Sequence, residues 1–165
     1  MRRILIAGGC FWGVEAYYKK LKGVLSTSVG YANGNTSNPR YEDLKAHKAT
    51  HSEAVEIVYD ENVISLAQLL DHMFRFIEPT SVNRQGHDIG IQYRTGVYYQ
   101  SEEDHQIIQA FIAEKQKLYK DPIAVEVLKE TNYYLAEDYH QDYLDKNPFG
   151  YCHVSFGHIK PGEKK

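Results

Sequence analysis

The chain is short of the features that would mark several large classes of protein. Its 165 residues include only two cysteines, Cys10 and Cys152, too few for a disulfide-stapled scaffold, and in a reducing compartment unsuited to a permanent bridge. It lacks any run of about 18 apolar residues, so no segment is expected to span a membrane. It also lacks a basic excess. The formal net charge of -3 argues against a nucleic-acid or anionic-membrane partner, either of which favours a basic face. The opening MRRILIAGG has two arginines but only a four-residue apolar run before the glycines. That run is too short for the apolar region of a signal peptide, and a cytoplasmic location is expected. No internal repeat or dividing linker is visible. The length suits one domain, expected over residues 1–154, with a flexible tail over 155–165.

Tyrosine is abundant instead, 14 residues against one tryptophan and six phenylalanines. A phenol presents an apolar ring with a polar tip, which suits a pocket that must also donate hydrogen bonds. Most of the 14 read as ordinary half-buried residues.

Arg3 to Ala7 reads as a buried strand stopped by Gly8-Gly9. Phe11, Val14, Tyr18 and Leu21 then fall at helical spacing. Val24 to Tyr31 and Glu53 to Tyr59 read as further strands, separated by a long polar stretch that contains Tyr41. Ser65 to Ile77 carries a capping box, Ser65 with Gln68, ahead of an apolar face. After the irregular PTSVNRQGHDIGIQYR come a strand over Thr95 to Gln100 and a helix over Glu102 to Tyr119. Ile107, Ile108, Phe111, Ile112 and Leu118 are expected to face inward, and Ile123 to Leu128 suggests one more strand. The order β-α-β-β-α-β predicts a split-βαβ, ferredoxin-like sheet with strand order 4-1-3-2. The fold class is therefore α+β, a two-layer sandwich with long loops and an irregular C-terminal end. That topology brings Cys10, Tyr41, Glu53, Asp88 and Tyr93 to a single rim. Loops of this length are usually functional or disordered.

The residues at that rim suggest chemistry. Cys10 sits at a strand-to-helix corner, where free backbone N–H groups and the helix dipole favour the nucleophilic thiolate. Alternation places Glu53 on the apolar face with Val55, Ile57 and Tyr59. Desolvation there raises a carboxyl pKa and keeps the group protonated near neutrality. A thiolate, a neutral acid, tyrosine hydroxyls and the aromatic wall of Phe11 and Trp12 suit attack on a small apolar group attached to a polarised S=O.

GGCFWGVE, GYANG, NPRYEDL, THSEAVEIVYD, PTSVNRQGHDIGIQYR, AEDYHQDYLDKNP and GYC together resemble the type A peptide methionine sulfoxide reductases, in that family's order and from about residue 4 to 153. The resemblance implies reduction of the S epimer of methionine sulfoxide, free or in proteins. It assigns Cys10 as nucleophile, Glu53 as acid, Tyr41 and Tyr93 as hydroxyls around the sulfoxide oxygen and Asp88 as a supporting polar residue. Phe11 and Trp12 match the pocket for the substrate methyl. Cys152 matches the resolving cysteine, which converts a Cys10 sulfenic acid to a disulfide for thioredoxin to reduce. Neither metal nor organic cofactor is implied; reducing equivalents come from thioredoxin or dithiothreitol, and a monomer is expected. His87, Ile91 and Ser52 stand where asparagine, threonine and alanine are frequent. Many members carry a further cysteine in a Gly-rich C-terminal segment. HVSFGHIKPGEKK has none, which implies a two-cysteine cycle.

Two rival readings rest on histidine. His47 and His51, with Cys152-His153, offer metal-ligand types, provided that 47–51 is helical. A cysteine hydrolase or acyltransferase would pair Cys10 with His51 or His87 as base.

Overall fold

The computed structural model describes residues 1–165. The apolar run after Arg3 forms strand β1 (Arg2–Gly8), and helix α1 (Phe11–Lys19) follows at once. Strand β2 (Val24–Ala32) leads through a short helix α2 (Tyr41–Lys45) to strand β3 (Ser52–Tyr59) and helix α3 (Leu66–Phe76). A two-stranded hairpin comes next, β4 (Arg84–Gln85) and β5 (Asp88–Ile89), then strand β6 (Thr95–Tyr99) and helix α4 (Glu102–Gln116). Strands β7 (Glu126–Lys129) and β8 (Tyr133–Leu135) and helix α5 (Tyr143–Lys146) complete the order.

The main sheet runs β7-β6-β1-β3-β2-β8. Its four inner strands have the expected order, and each inner neighbour is antiparallel. β7 adds in parallel beside β6, and β8 adds antiparallel beside β2. Sequence periodicity did not reach β8, α2 or the hairpin, which are too short to show a period. The strand expected over Ile123 to Leu128 begins later, at Glu126.

The β7–β8 connection forces the sheet to curl. Six flat strands would put its edges about 24 Å apart. The four steps from Lys129 to Tyr133 reach at most about 14 Å. The edges are therefore drawn together across one face, where Asn33 at the end of β2 accepts from Thr131 N–H at 2.8 Å. That concave face is lined by small residues, Ala7, Ala32 and Ala54, around Leu5 and Tyr98. Gly30 is required there: a Cβ would lie 2.4 Å from the Tyr133 ring and 2.5 Å from the Tyr134 carbonyl.

The opposite face carries the helices and the main core. Val14, Tyr17 and Tyr18 of α1 pack with Val55 and Ile57 of β3 and with Leu69, Leu70 and Met73 of α3. The expected capping box of α3 is present, with Ser65 Oγ accepting from Gln68 N–H and Gln68 Oε1 from Ser65 N–H. Ser101 caps α4 through Asp104 N–H. Ile108 is buried and Ile107, Phe111 and Ile112 pack against the core. Leu118 does not: the helix ends at Gln116, and the side chain beyond it is exposed.

The last eleven residues are docked, where a flexible tail was expected. Glu163 makes a two-pronged ion pair with Arg75 of α3, at 2.7 and 2.9 Å. Lys22 N–H donates to Glu163 O, Lys165 N–H donates to Lys20 O, and Ile159 is buried. Long-range backbone pairing of this kind leaves no periodic trace in sequence. No helix is long and apolar enough to cross a membrane.

Gly30→Ala is expected to lower unfolding stability by about 1–3 kcal/mol through overpacking of the concave face. An unchanged urea midpoint would show that the strand is not held against Tyr133.

Candidate active site

The site begins where β1 breaks. Gly9 has φ 97°, a left-handed conformation that favours glycine. A Cβ there would also lie 2.9 Å from both Gln85 and His153. The turn aims Cys10 to the N-cap position of α1, and the residue is 6% exposed. The expected activation by the helix start is only part of the balance. Burial and the nearby Glu53 carboxyl push the thiol well above its usual range, against the Trp12 N–H, which favours the thiolate. At rest Cys10 is a thiol.

Glu53 lies on the helix-bearing face with Val55, Ile57 and Tyr59, as alternation suggested. It is 2% exposed. Its Oε1 accepts the Phe11 N–H at 3.2 Å, one of the backbone donors that the first turn of a helix leaves unpaired. Burial pushes its pKa up to about 8, with Asp88 adding to the rise and the Phe11 N–H and Lys45 opposing it. The carboxyl is therefore mostly protonated at neutral pH, a proton donor a short distance from the thiol.

Both expected tyrosines reach the same spot. Tyr41 opens α2, and its N–H donates to Glu137 Oε2 at 3.1 Å. Tyr93 closes a 3-10 turn over Ile91–Tyr93. Burial pushes the Tyr41 hydroxyl up to about 12, with Glu53 and Cys10 contributing, and pushes Tyr93 in the same direction. Both remain donors. Asp88, on β5, accepts from the Tyr151 hydroxyl at 3.0 Å. That bond draws the Cys152 segment over the rim.

Phe11 is fully packed, its ring 5.8 Å from Tyr31 and 5.2 Å from His140. Trp12 is half-buried and stacks on Tyr143 at 3.8 Å. Its indole N–H donates to His140 Nδ1 at 2.9 Å. Cys152 sits one turn along α1 from Cys10: a Cβ at Gly13 would lie 2.8 Å from its Sγ. The thiol donates to the Val154 carbonyl at 3.2 Å, and burial pushes its pKa up. His153 anchors the segment, with its Nε2 2.8 Å from the Gly8 carbonyl. The structure thus brings together all eight residues that the sequence singled out.

Several residues that shape the site were not singled out. Glu137 ties α2 to the sheet, accepting from Tyr41 N–H and, at 2.7 Å, from the Tyr31 hydroxyl. His140 and Tyr143 flank Trp12. All three lie in AEDYHQDYLDKNP, one of the segments that carry the family resemblance, but the stretch has no period and its cluster of acidic and aromatic residues does not show which of them face the site.

The histidines of the rival readings lie elsewhere. His47 is exposed in a left-handed turn after α2, and His51 is buried with its ring 5.9 Å from that of Tyr134. Residues 47–51 are not helical, so the spacing of the metal reading has no meaning there. His87 is exposed. The groups that perturb Cys10 are carboxyls, a thiol and a backbone N–H, and no imidazole is placed as its base.

The family model for peptide methionine sulfoxide reductase matches residues 2–164. The chain belongs to this family. A peptide methionine sulfoxide reductase MsrA of Lachnoclostridium phytofermentans is 54% identical over 153 residues, covering 93% of this chain and 92% of that protein. Mxr1 from Saccharomyces cerevisiae in its reduced form superposes with a TM-score of 0.88 at 36% identity, over 93% of this chain and 91% of that one. Mxr1 in complex with Trx2 superposes with a TM-score of 0.61 at 27% identity, over 86% and 84%.

The raised pKa of Glu53 has a stability signature. The folded state keeps a proton that the unfolded state loses from about pH 4.3 upward. Stability from this group is therefore full below that value and is lost as pH rises to about 8. Relative to Glu53→Gln, the wild type should lose up to about 1.4 kcal/mol per pH unit across that window. Urea midpoints with the same offset at pH 5 and pH 8.5 would show that the carboxyl is already ionised.

Proposed function

We propose that the chain reduces methionine-S-sulfoxide, free or within proteins, by a two-cysteine thiol cycle that thioredoxin restores. The observation that carries this reading is the buried, protonated Glu53 fixed by the Phe11 N–H at the corner that holds Cys10. A sulfoxide is a poor electrophile until its oxygen accepts a proton, and a neutral acid supplies one where a carboxylate cannot.

In this reading Phe11 and Trp12 receive the methyl group, while the Tyr41 and Tyr93 hydroxyls donate to the sulfoxide oxygen. Glu53 gives that oxygen its proton. The positive charge gathered on the sulfoxide then offsets the cost of a buried thiolate, and Cys10 loses its proton to the vacated carboxylate. The Cys10 sulfur attacks the activated sulfoxide; a bond forms between the Cys10 sulfur and the oxygen as the bond between substrate sulfur and oxygen breaks, which leaves Cys10 as a sulfenic acid and releases the thioether. The balance is Cys–SH plus sulfoxide giving Cys–SOH plus thioether. Cys152 then attacks the sulfenic sulfur, forming the disulfide and releasing water. A dithiol partner reduces that disulfide by exchange. The Mxr1 complex with Trx2 supports thioredoxin as that partner. Asp88, through Tyr151, holds the Cys152 segment near the pocket.

The assignments separate by variant. Cys10→Ser should abolish reduction of methionine-S-sulfoxide, and undiminished activity would sink the reading. Cys152→Ser should still release about one methionine per enzyme in a single turnover, the amount one Cys–SH can yield, but fail to cycle with thioredoxin. Normal cycling would assign the resolving role elsewhere. Glu53→Gln should slow the single-turnover step by about 10²–10⁴-fold, the range for a positioned acid, while Cys10 stays available to alkylation.

A further inference from the structure

We propose that Arg94 is a positioning residue for the reaction, a clamp that sets the Tyr93 hydroxyl against the Glu53 carboxyl. The inference rests on the reading of these two groups as donors to the sulfoxide oxygen.

The backbone ladder leaves their spacing open. β3 and β6 are not neighbours, since β1 lies between them. The pairing of β1 with β3 stops at Ile6 opposite Val55, short of Glu53. The pairing of β1 with β6 stops at Gly8 opposite Thr95, short of Tyr93. At the rim the two segments must therefore be joined by side chains, and Arg94 joins them. Its Nη1 donates to the Ile91 carbonyl, in the turn that carries Tyr93, and to the Thr50 carbonyl ahead of β3, both at 2.9 Å. Nη2 donates to the Asn33 carbonyl after β2 at 3.3 Å, and Nε donates to Glu126 Oε2 on β7 at 3.1 Å. One rigid, planar fork thus reaches four separate segments.

The concave face of the sheet braces the clamp. The Tyr98 hydroxyl lies 2.8 Å from Ser52 Oγ and donates to Glu126 Oε2 at 3.0 Å. With the phenol proton committed to Glu126, the Ser52 hydroxyl donates to the Tyr98 oxygen. The other acceptor near Ser52 Oγ, the Ala32 carbonyl, is farther away at 3.5 Å. Tyr98 reaches over β1, which presents the small Ala7 in the same cluster. Ser52 and Tyr98 are fully buried, so water does not compete for these bonds. A chain therefore runs from Ser52, the residue before Glu53, through Tyr98 and Glu126 to Arg94. Arg94 returns to Thr50, on the same entry to β3, and closes the ring.

The chemistry explains why such a ring is needed. Two donors that serve one oxygen must hold their geometry to about 0.5 Å, and a misplacement of about 1 Å costs about 10²-fold in rate. The Phe11 N–H fixes the Glu53 carboxyl itself, and the Arg94 ring fixes the strand entry that carries it. The side-chain charges that act on Glu53 are those of Asp88 and Lys45. Arg94 works through geometry rather than through its field.

Arg94→Lys keeps the charge but replaces the fork with a single point. In single turnover with methionine-S-sulfoxide its rate should fall about 10²-fold. The half-saturating substrate concentration should stay at the wild-type value, because Phe11 and Trp12 are untouched. Tyr98→Phe keeps the ring's bulk and breaks the chain, so it should slow the wild type with the same split. It tests the proposal even if Arg94→Lys does not fold. Added to Arg94→Lys it should cost nothing further, as expected for residues that act as one unit. A wild-type rate in Arg94→Lys, a rate loss matched by weaker substrate binding, or effects of the two changes that simply multiply would overturn the proposal. A third readout needs no substrate. With the clamp loosened, water reaches the start of β3, and Glu53 should ionise below its wild-type midpoint of about 8. Infrared difference spectra against Glu53→Gln in the same Arg94→Lys or Tyr98→Phe background read that midpoint, and an unchanged value counts against the proposal. Absence of sulfoxide reduction in the wild type would instead sink the functional reading and leave this readout standing.

Discussion

A single hydrogen bond, from the Phe11 N–H to Glu53 Oε1, joins the two halves of the site. It ties the first turn of α1 to the start of β3 and satisfies one oxygen of a carboxyl that has almost no contact with water. The second oxygen is left to carry a proton. Burial alone would leave Glu53 as an unpaired polar group, which is costly. One backbone donor offsets part of that cost without drawing the pKa back to an ordinary carboxylate value. The same turn of α1 holds Cys10, so the acid and the nucleophile are positioned by the same few backbone atoms.

Much of the remaining chain serves that corner. The curl of the sheet, enforced by the short β7–β8 connection, brings the segment after β8 round to the start of α1. Glu137 then locks Tyr41 in place, and His140 with Tyr143 grips Trp12. From the other side His153 rests on the Gly8 carbonyl, and Cys152 fills the space that Gly13 leaves open. The docked C-terminal residues fix the far end of that segment through Arg75 and Glu163. Cys152 therefore waits one helical turn from Cys10, with its thiol occupied by the Val154 carbonyl.

The inner fold was legible because it is periodic. Alternation in SEAVEIVY set the faces of β3, and with them the burial of Glu53. The Ser65–Gln68 box and the apolar spacing beyond it placed α3, and the β-α-β-β-α-β order gave the inner strand order. The rim followed from topology, since that order puts the loops bearing Cys10, Tyr41, Asp88 and Tyr93 on one edge. What escaped was aperiodic or long-range. β8 has three residues, too few to alternate visibly. Glu137, His140 and Tyr143 act through partners about a hundred residues away, and no local pattern announces such pairs. The resting state of Cys10 escaped for another reason. Helix-start activation can be read from position, but the burial and the neighbouring carboxyl that outweigh it depend on the complete fold.

The central claim is that Glu53 carries a proton at the pH where the protein works. Infrared difference spectroscopy of wild type against Glu53→Gln reads this directly through the carbonyl stretch of a protonated carboxyl. The expected result is a band assignable to Glu53 at pH 6.5 that disappears with a midpoint near 8. No such band at pH 6.5, with a carboxylate signal from Glu53 in its place, would contradict the account.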